Sequence, residues 1–273
     1  GYFFMMLGMI MVFFSQKIIT YILKKTHYGK QLINNKIEEA KLDMQSNFDK
    51  VETNTELVLK IPENCSDNDE IISRLTRLQE NDCKWKEGKA FGYIYSGEEE
   101  HTHLLNKIYQ LYVHTNPLHT SAFPSTRILE AEVVRMVSSM LGGNKQTCGC
   151  MTSGGSESII LAVKAARDMF REKNPGIKPQ IICCDTVHAA FVKASKYFDI
   201  DIIITDVTSK YQCDPIEYEK YISNKTMMLV VSAPSYPYGI IDDIEPISEL
   251  AERYNIWLHV DACLGGFVLP WLN

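Results

Sequence analysis

Two short stretches of this sequence, with one histidine between them, carry side chains whose chemistry suits a single kind of ligand. Thr152–Ser158 is rich in glycine and serine and lies between an apolar segment and a predicted helix. Backbone N–H groups at such a helix start can hold a phosphate, and the helix dipole favours its negative charge. Asp261 ends the apolar run that begins at Ile256, where a carboxylate is costly unless something pairs with it. His188 follows another apolar run and could stack on a flat ring.

Pyridoxal phosphate has the three features that these residues would recognise: a phosphate, a flat ring and a ring nitrogen that works best when protonated. Gly154 and Gly155 would let the backbone approach the phosphate, and Ser156 could cap the helix and donate its hydroxyl. A carboxylate at Asp261 would keep the ring nitrogen protonated. The glycine-serine stretch is neither a Walker loop nor a dinucleotide fingerprint, since no GK[ST] follows it and GxGxxG is absent.

Each of these features also has a purely structural interpretation. The glycine-serine stretch could be an ordinary helix N-cap, His188 could cap the helix after it, and Asp261 could cap the next turn. The loop from Ser232 to Gly239 follows an apolar strand, and its hydroxyls could touch a cofactor or substrate or belong to a turn. The hypothesis therefore depends on the combination and on no single motif.

From about residue 100 onward, predicted helices alternate with short apolar strands. This alternation predicts an α/β fold with a mostly parallel sheet covered by helices on both faces. In such sheets ligands bind beyond the carboxyl ends of the strands, which is where the motifs lie. The predicted strands are Ile181–Cys184, Ile200–Thr205, Met227–Ser232 and Ile256–Val260. The predicted helices are Ala131–Leu141, Ile159–Arg171, Ala189–Phe198, Pro215–Ile222 and Ile247–Tyr254.

Composition narrows the class of protein. A chain of 273 residues that is 45% hydrophobic is long enough for one large domain with a full core, or for one and a half smaller ones. Its net charge of -6 disfavours nucleic acid as a partner, since such proteins carry basic stripes. The eight cysteines are spaced neither for a zinc site nor for a disulfide framework. We expect a reducing compartment and no metal site.

The first residues suggest attachment to a membrane. Tyr2–Phe14 is an uninterrupted apolar run, although a full span needs about 20 residues. Lysines crowd the side that follows it: Lys17, Lys24, Lys25 and Lys30. By the positive-inside rule the rest of the chain would be cytosolic; a signal peptide is the alternative, but no clean cleavage site follows. We expect a single-pass anchor at 1–25, a helical linker at 26–90 and an incomplete cofactor-binding domain at 91–273.

Longer stretches of the sequence carry a family resemblance over about residues 88–270. They are Gly92–Tyr95, Asn116–His119, Phe123–Pro124, Glu130–Met136, Cys148–Ser158, His188–Phe191 and Leu258–Phe267. On these stretches the chain resembles the sphingosine-1-phosphate lyases, pyridoxal-phosphate enzymes related to the group II amino-acid decarboxylases. The glycine-serine stretch and HVDA are shared with many decarboxylases. Their combination with NPLH and the longer HVDACLGGF is more specific to the lyases.

The resemblance implies a fold-type-I, transferase-like pyridoxal-phosphate fold and gives the motif residues their roles. The backbone around Gly154, Gly155 and Ser156 would hold the cofactor phosphate. His188 would stack on the pyridine ring, and Asp261 would pair with its nitrogen.

The resemblance also implies a substrate side and a lysine that forms a Schiff base with the cofactor. Tyr95, Asn116 and His119 match positions that line the substrate, and Ser232 begins a loop placed to touch the cofactor. The family's lysine follows the aspartate by roughly thirty residues, in a histidine-lysine pair, and so is expected beyond residue 273. Three positions depart from the family pattern on the substrate-facing loops: Ser121, Ser125 and Tyr238.

The activity implied by the resemblance is cleavage of phosphorylated sphingoid bases between C2 and C3. The products are a fatty aldehyde and phosphoethanolamine, so the pathway is sphingolipid catabolism. A homodimer at the endoplasmic reticulum membrane, with a cytosolic catalytic domain, is expected from the same resemblance. Two alternatives remain open: a pyridoxal-phosphate-dependent amino-acid decarboxylase, and a non-catalytic, truncated, membrane-tethered homologue.

Overall fold

The computed structural model describes most of the chain. The described residues are 26–52, 58–80, 82–90 and 97–272. The predicted anchor at 1–25 and the predicted substrate residue Tyr95 lie outside them. Within the described ranges, no helix combines the length and hydropathy that a membrane span requires.

Contacts between residues divide the chain into two compact units, Gly1–Lys107 and Ile108–Asn273. In the first unit, helix α1 spans His27–Glu52 and helix α2 spans Asn68–Gln79. A single 3₁₀ turn follows at Trp85–Glu87. The predicted domain boundaries at residues 25 and 90 stay predictions.

Helix α2 begins with a reciprocal cap. The Asp67 side chain accepts a hydrogen bond from the Asp69 N–H at 2.9 Å, and the Glu70 carboxylate accepts one from the Asp67 N–H at 3.3 Å. Each bond satisfies an N–H group that has no partner within the helix.

The second unit alternates helices and strands. Helix α3 (Glu99–Tyr112) begins in the first unit and ends in the second. The other helices of the second unit are α4 (Pro124–Met140), α5 (Gly155–Lys173), α6 (Ala189–Phe198), α7 (Pro215–Tyr221) and α8 (Ile244–Arg253). Its strands are β1 (Gln180–Cys184), β2 (Asp201–Thr205), β3 (Thr226–Ser232) and β4 (Trp257–Asp261). A 3₁₀ turn lies at Leu269–Trp271. Each predicted strand and helix from residue 131 onward is present, so the α/β prediction is confirmed.

Two helices begin earlier than predicted. Helix α4 begins at Pro124 rather than Ala131, because proline suits the first helical position, where no N–H is needed. Helix α5 begins at Gly155 rather than Ile159, because the hydrophobic period marks only the part of a helix that faces the core.

The four strands form one parallel sheet in the order β2-β1-β3-β4. The two inner strands are buried along their whole length, which explains their continuous apolar sequences. Successive side chains of a strand point to opposite faces. Ile181 and Cys183 accordingly pack into a core with α5 and α6, whereas Ile182 and Cys184 pack into a second core with α7 and α8. The sheet is therefore covered on both faces, as predicted.

Candidate cofactor site

The carboxyl ends of β3 and β4 place two of the predicted site residues side by side. Ser232 and Asp261 are register partners, as are Val230 and His259 two residues earlier. The His259 ring contacts the Phe191 ring of α6 edge-on, with centroids 5.2 Å apart. Since side chains two residues apart share a face, Asp261 lies on the face of the sheet that α5 and α6 cover.

The glycine-serine stretch forms the start of helix α5. Gly154 is the N-cap and Gly155 the first helical residue. Among the described residues, no hydrogen-bond acceptor pairs with the N–H groups of Gly155 and Ser156, and the Ser156 side chain is exposed. A helix start with free N–H groups and a hydroxyl beside them is a site for an anion.

The prediction that Ser156 caps this helix is wrong, because the helix begins one residue before it. Ser153 ties the loop to the helix instead. Its N–H and its hydroxyl both donate to Glu157 Oε2, each at 2.6 Å. The hydroxyl, and after it the N–H, lower the pKa of the Glu157 carboxyl, because both hydrogen bonds favour the ionised form. A second tie joins the Thr152 and Ser158 hydroxyls at 2.7 Å.

Gly155 lies next to the loop that follows Asp261. A Cβ atom at residue 155 would be 3.7 Å from the Cys263 sulfur, an ordinary van der Waals distance. Asp261 Oδ1 accepts a hydrogen bond from the Cys263 N–H at 3.1 Å, so the turn-capping interpretation of Asp261 is confirmed. Within the described residues, Asp261 Oδ2 accepts no hydrogen bond. One carboxylate oxygen therefore shapes the turn, and the other is available to a ligand.

His188 is the N-cap of helix α6. Its Nδ1 accepts a hydrogen bond from the Ala190 N–H at 3.1 Å, so the capping interpretation of this residue is also confirmed. A ring that accepts at Nδ1 carries the proton of its neutral form on Nε2. The cap uses a lone pair in the plane of the ring and leaves stacking on its face possible. The structural and the functional roles of His188 are thus compatible.

Ser232 is held by a buried carboxylate that is not among the residues predicted from the sequence. Asp242 is 3% exposed, and its Oδ2 accepts the Ser232 N–H at 2.7 Å while its Oδ1 accepts the Cys213 N–H at 2.9 Å. The Asp242 N–H in turn donates to the Ser232 carbonyl oxygen at 3.0 Å. The Asp242-Asp243 pair in an otherwise apolar stretch is the only signal in the sequence that could have identified this residue.

Gly265 was also missed as a structural requirement. A Cβ atom there would overlap the carbonyl oxygen of Ala233. The Ala233 N–H donates to the Asp261 carbonyl oxygen at 2.8 Å. The glycine therefore lets the loop after β4 pack against the end of β3, beside Ser232 and Asp261.

Asn116 and His119 form the turn before α4, and both are exposed. Asn116 Oδ1 accepts the Leu118 N–H at 3.0 Å, and its carbonyl oxygen accepts the His119 N–H at 3.1 Å. No hydrogen bond among the described residues joins this turn to the sheet. Their assignment to the substrate side stays a prediction.

The polar groups at this edge of the sheet fit pyridoxal phosphate. Free N–H groups and a hydroxyl at the start of α5 suit a phosphate dianion. The His188 ring and the free oxygen of Asp261 suit a flat heterocycle with a protonated nitrogen. Gly155 and Cys263 are neighbours, since a Cβ atom at residue 155 would lie 3.7 Å from the Cys263 sulfur, so these two halves of the site are close together.

Comparison with known proteins also indicates a pyridoxal-phosphate site. A family model described as the pyridoxal-dependent decarboxylase conserved domain matches residues 52–272. The chain belongs to the pyridoxal-dependent decarboxylase family. Membership of this family confirms the prediction of pyridoxal phosphate as the cofactor.

Several similar proteins of this family are sphingosine-1-phosphate lyases. Sphingosine-1-phosphate lyase 1 of Mus musculus is 40% identical over 261 residues, which cover 95% of this chain and 45% of that protein. The lyase of Oryza sativa subsp. japonica is 45% identical over 212 residues, which cover 75% of this chain and 39% of that protein. The chain thus spans less than half the length of these two relatives.

Solved structures show the same fold. A sphingosine-1-phosphate lyase from Burkholderia pseudomallei matches with a TM-score of 0.75 and 34% identity, covering 80% of this chain and 52% of that one. Lactobacillus brevis glutamate decarboxylase matches with a TM-score of 0.66 at 20% identity, and the match covers 80% of this chain and 53% of that one. The second likeness shows the decarboxylase-like fold alone.

Proposed function

We propose that the polypeptide carrying this chain is a pyridoxal-phosphate-dependent carbon-carbon lyase. Its substrates are phosphorylated sphingoid bases, and its products are a fatty aldehyde and phosphoethanolamine. The names of the similar proteins from Mus musculus, Oryza sativa and Burkholderia pseudomallei support this substrate class.

One structural observation carries the proposal. A Cβ atom at Gly155, the first residue of α5, would lie 3.7 Å from the Cys263 sulfur, and the Cys263 N–H donates to Asp261 Oδ1 at 3.1 Å. An anion-binding helix start and an available carboxylate oxygen therefore stand beside each other at one edge of the sheet. His188 begins α6, which covers the same face of the sheet.

The residues of this chain bind and orient the cofactor. N–H groups of Gly155 and Ser156 hold the phosphate, and the Asp261 carboxylate keeps a proton on the ring nitrogen. The His188 ring limits tilting of the heterocycle. When bound there, pyridoxal phosphate would supply an electron-withdrawing ring for cleavage of the C2–C3 bond.

We place the lysine that binds the cofactor covalently in polypeptide that follows residue 273. Two lysines on the helices that begin at the site are engaged elsewhere. Lys164 pairs with Asp168 at 2.7 Å, and Lys193 Nζ lies 5.5 Å from the Tyr197 ring centroid.

We further propose a homodimer attached to the endoplasmic reticulum membrane through residues 1–25, with the sheet on the cytosolic side. The lysines after the apolar run support this orientation, by the positive-inside rule. A substrate with a long alkyl chain partitions into membranes, which supports the attachment.

Assaying the full polypeptide with pyridoxal phosphate tests the function. Sphinganine phosphate, glutamate and an aromatic amino acid serve as parallel substrates. Release of a fatty aldehyde and phosphoethanolamine from the first alone is the expected result. Release of carbon dioxide from an amino acid would establish the decarboxylase alternative. Cofactor binding without turnover of any substrate would favour the non-catalytic homologue.

A further inference from the structure

Tyr236, on the loop after β3, contacts the ring of His188. The ring centroids are 5.9 Å apart and the ring planes meet at 65°, so one ring meets the other by its edge. Edge-on contact is a favoured geometry for aromatic pairs. Whichever ring presents its edge, Tyr236 leaves at least one face of the imidazole uncovered.

The loop that carries Tyr236 is anchored on both sides of it. The Ser235 N–H donates to the Ile240 carbonyl oxygen, and the Gly239 N–H donates to the Ser235 carbonyl oxygen, each at 2.8 Å. Ser235 is fully buried, and Gly239 closes the turn at φ +67°. Tyr236 itself is 68% exposed, so its ring does not serve to fill a core.

The His188 ring, by contrast, is held by only one hydrogen bond among the described residues, between Nδ1 and the Ala190 N–H. A single bond at one atom lets the ring tilt about that contact. The Tyr236 ring, whose backbone belongs to the anchored loop, contacts the imidazole from another direction and opposes the tilt.

We propose that Tyr236 is a positioning residue, whose aromatic ring acts through His188 to hold the imidazole in the orientation that stacks on the cofactor. The inference rests on the proposed function, since His188 has a ring to stack on only when pyridoxal phosphate is bound. It requires the aromatic ring of Tyr236 and not its hydroxyl.

The test compares three variants of the full polypeptide: Tyr236→Leu, Tyr236→Phe and Tyr197→Leu. Tyr197 is a matched control, because it is 64% exposed on the same helix as His188 and contacts Lys193 instead. The dissociation constant of pyridoxal phosphate and the visible circular dichroism of the bound cofactor are measured. For Tyr236→Leu we expect about two- to tenfold weaker binding and a smaller dichroic signal. The other two variants should match the wild type.

A double-mutant cycle with His188→Leu shows whether Tyr236 acts through His188. In that background Tyr236→Leu should have no further effect on cofactor affinity. Thermal unfolding checks each variant, and Tyr236→Met replaces Tyr236→Leu if the latter does not fold.

Three results would overturn the inference: wild-type affinity and dichroism in Tyr236→Leu, an equal defect in Tyr236→Phe, or an undiminished effect in the His188→Leu background. A wild-type polypeptide that binds no pyridoxal phosphate would instead refute the proposed function.

Discussion

Gly265 packs its α-carbon against the carbonyl oxygen of Ala233, so closely that any Cβ atom at residue 265 would overlap that oxygen. This contact holds the loop after β4 against the end of β3. It therefore supports the turn that carries Asp261.

Gly265→Ala should destabilise the full polypeptide by about 1–3 kcal/mol, because the added methyl group forces backbone apart in a packed region. Gly154→Ala is the comparison variant: nothing lies within 4 Å of a Cβ atom there, so we expect only the cost of alanine at a helix N-cap, less than about 1 kcal/mol. Urea unfolding of both variants measures the difference. Equal free energies of unfolding would show that the loop accommodates the methyl group without loss of stability.

Asp242→Ala should lower the free energy of unfolding by about 2–4 kcal/mol, because it leaves the buried N–H groups of Ser232 and Cys213 without an acceptor. The neighbouring Asp243 is exposed, and its side chain makes no cap hydrogen bond to α8. Asp243→Ala should therefore change the stability by less than about 0.5 kcal/mol. Similar losses in both variants would contradict the bracing role of Asp242.

Acid should destabilise the fold partly through His259. Burial lowers the pKa of His259, and the nearby Asp261 carboxylate opposes this shift. A histidine whose pKa is lower in the folded than in the unfolded state binds its proton more readily once unfolded. Its contribution to stability is thus complete above the unfolded value of about 6.5 and is lost as the pH falls below it.

His259→Phe, which keeps an aromatic ring against Phe191, should remove this part of the pH dependence. Unfolding free energies at pH 7.5 and 5.5 measure it, and the wild type should lose at most about 1.4 kcal/mol more per pH unit than the variant. If the unfolding free energies of the two proteins changed equally with pH, the pKa of His259 would be the same in the folded and the unfolded state.

If Asp261 holds the ring proton as proposed, Asp261→Asn should reduce turnover by about 100-fold or more while keeping the fold, because the variant lacks that charge. An asparagine oxygen can still accept the Cys263 N–H, so the turn is retained. Steady-state kinetics and thermal unfolding of the full polypeptide separate the two effects. Wild-type turnover in this variant would refute the role given to Asp261.

The 273-residue chain alone should not form a borohydride-stable adduct with pyridoxal phosphate at any specific lysine. The full polypeptide should form one, at a lysine after residue 273. Mass spectrometry of reduced, digested samples identifies the position. A specific adduct at Lys164 or Lys193 in the shorter chain would place the covalent site among the described residues.

Much of the fold could be predicted because its signals are local. Ile181–Cys184 and Met227–Ser232 are continuous apolar runs, since parallel strands are buried on both faces. For α5 the sequence predicts a start at Ile159, four residues after the observed one, because exposed residues in a first turn show no hydrophobic period.

The sequence by itself determined the residue types: a glycine-serine helix start, a histidine and an aspartate, each directly after an apolar strand or before a helix. Only the tertiary structure decided that Gly155 lies near Cys263, that Asp242 braces Ser232, and that Tyr236 reaches His188. Such contacts join residues far apart in the chain. They depend on strand order and register, which no local pattern of residues encodes.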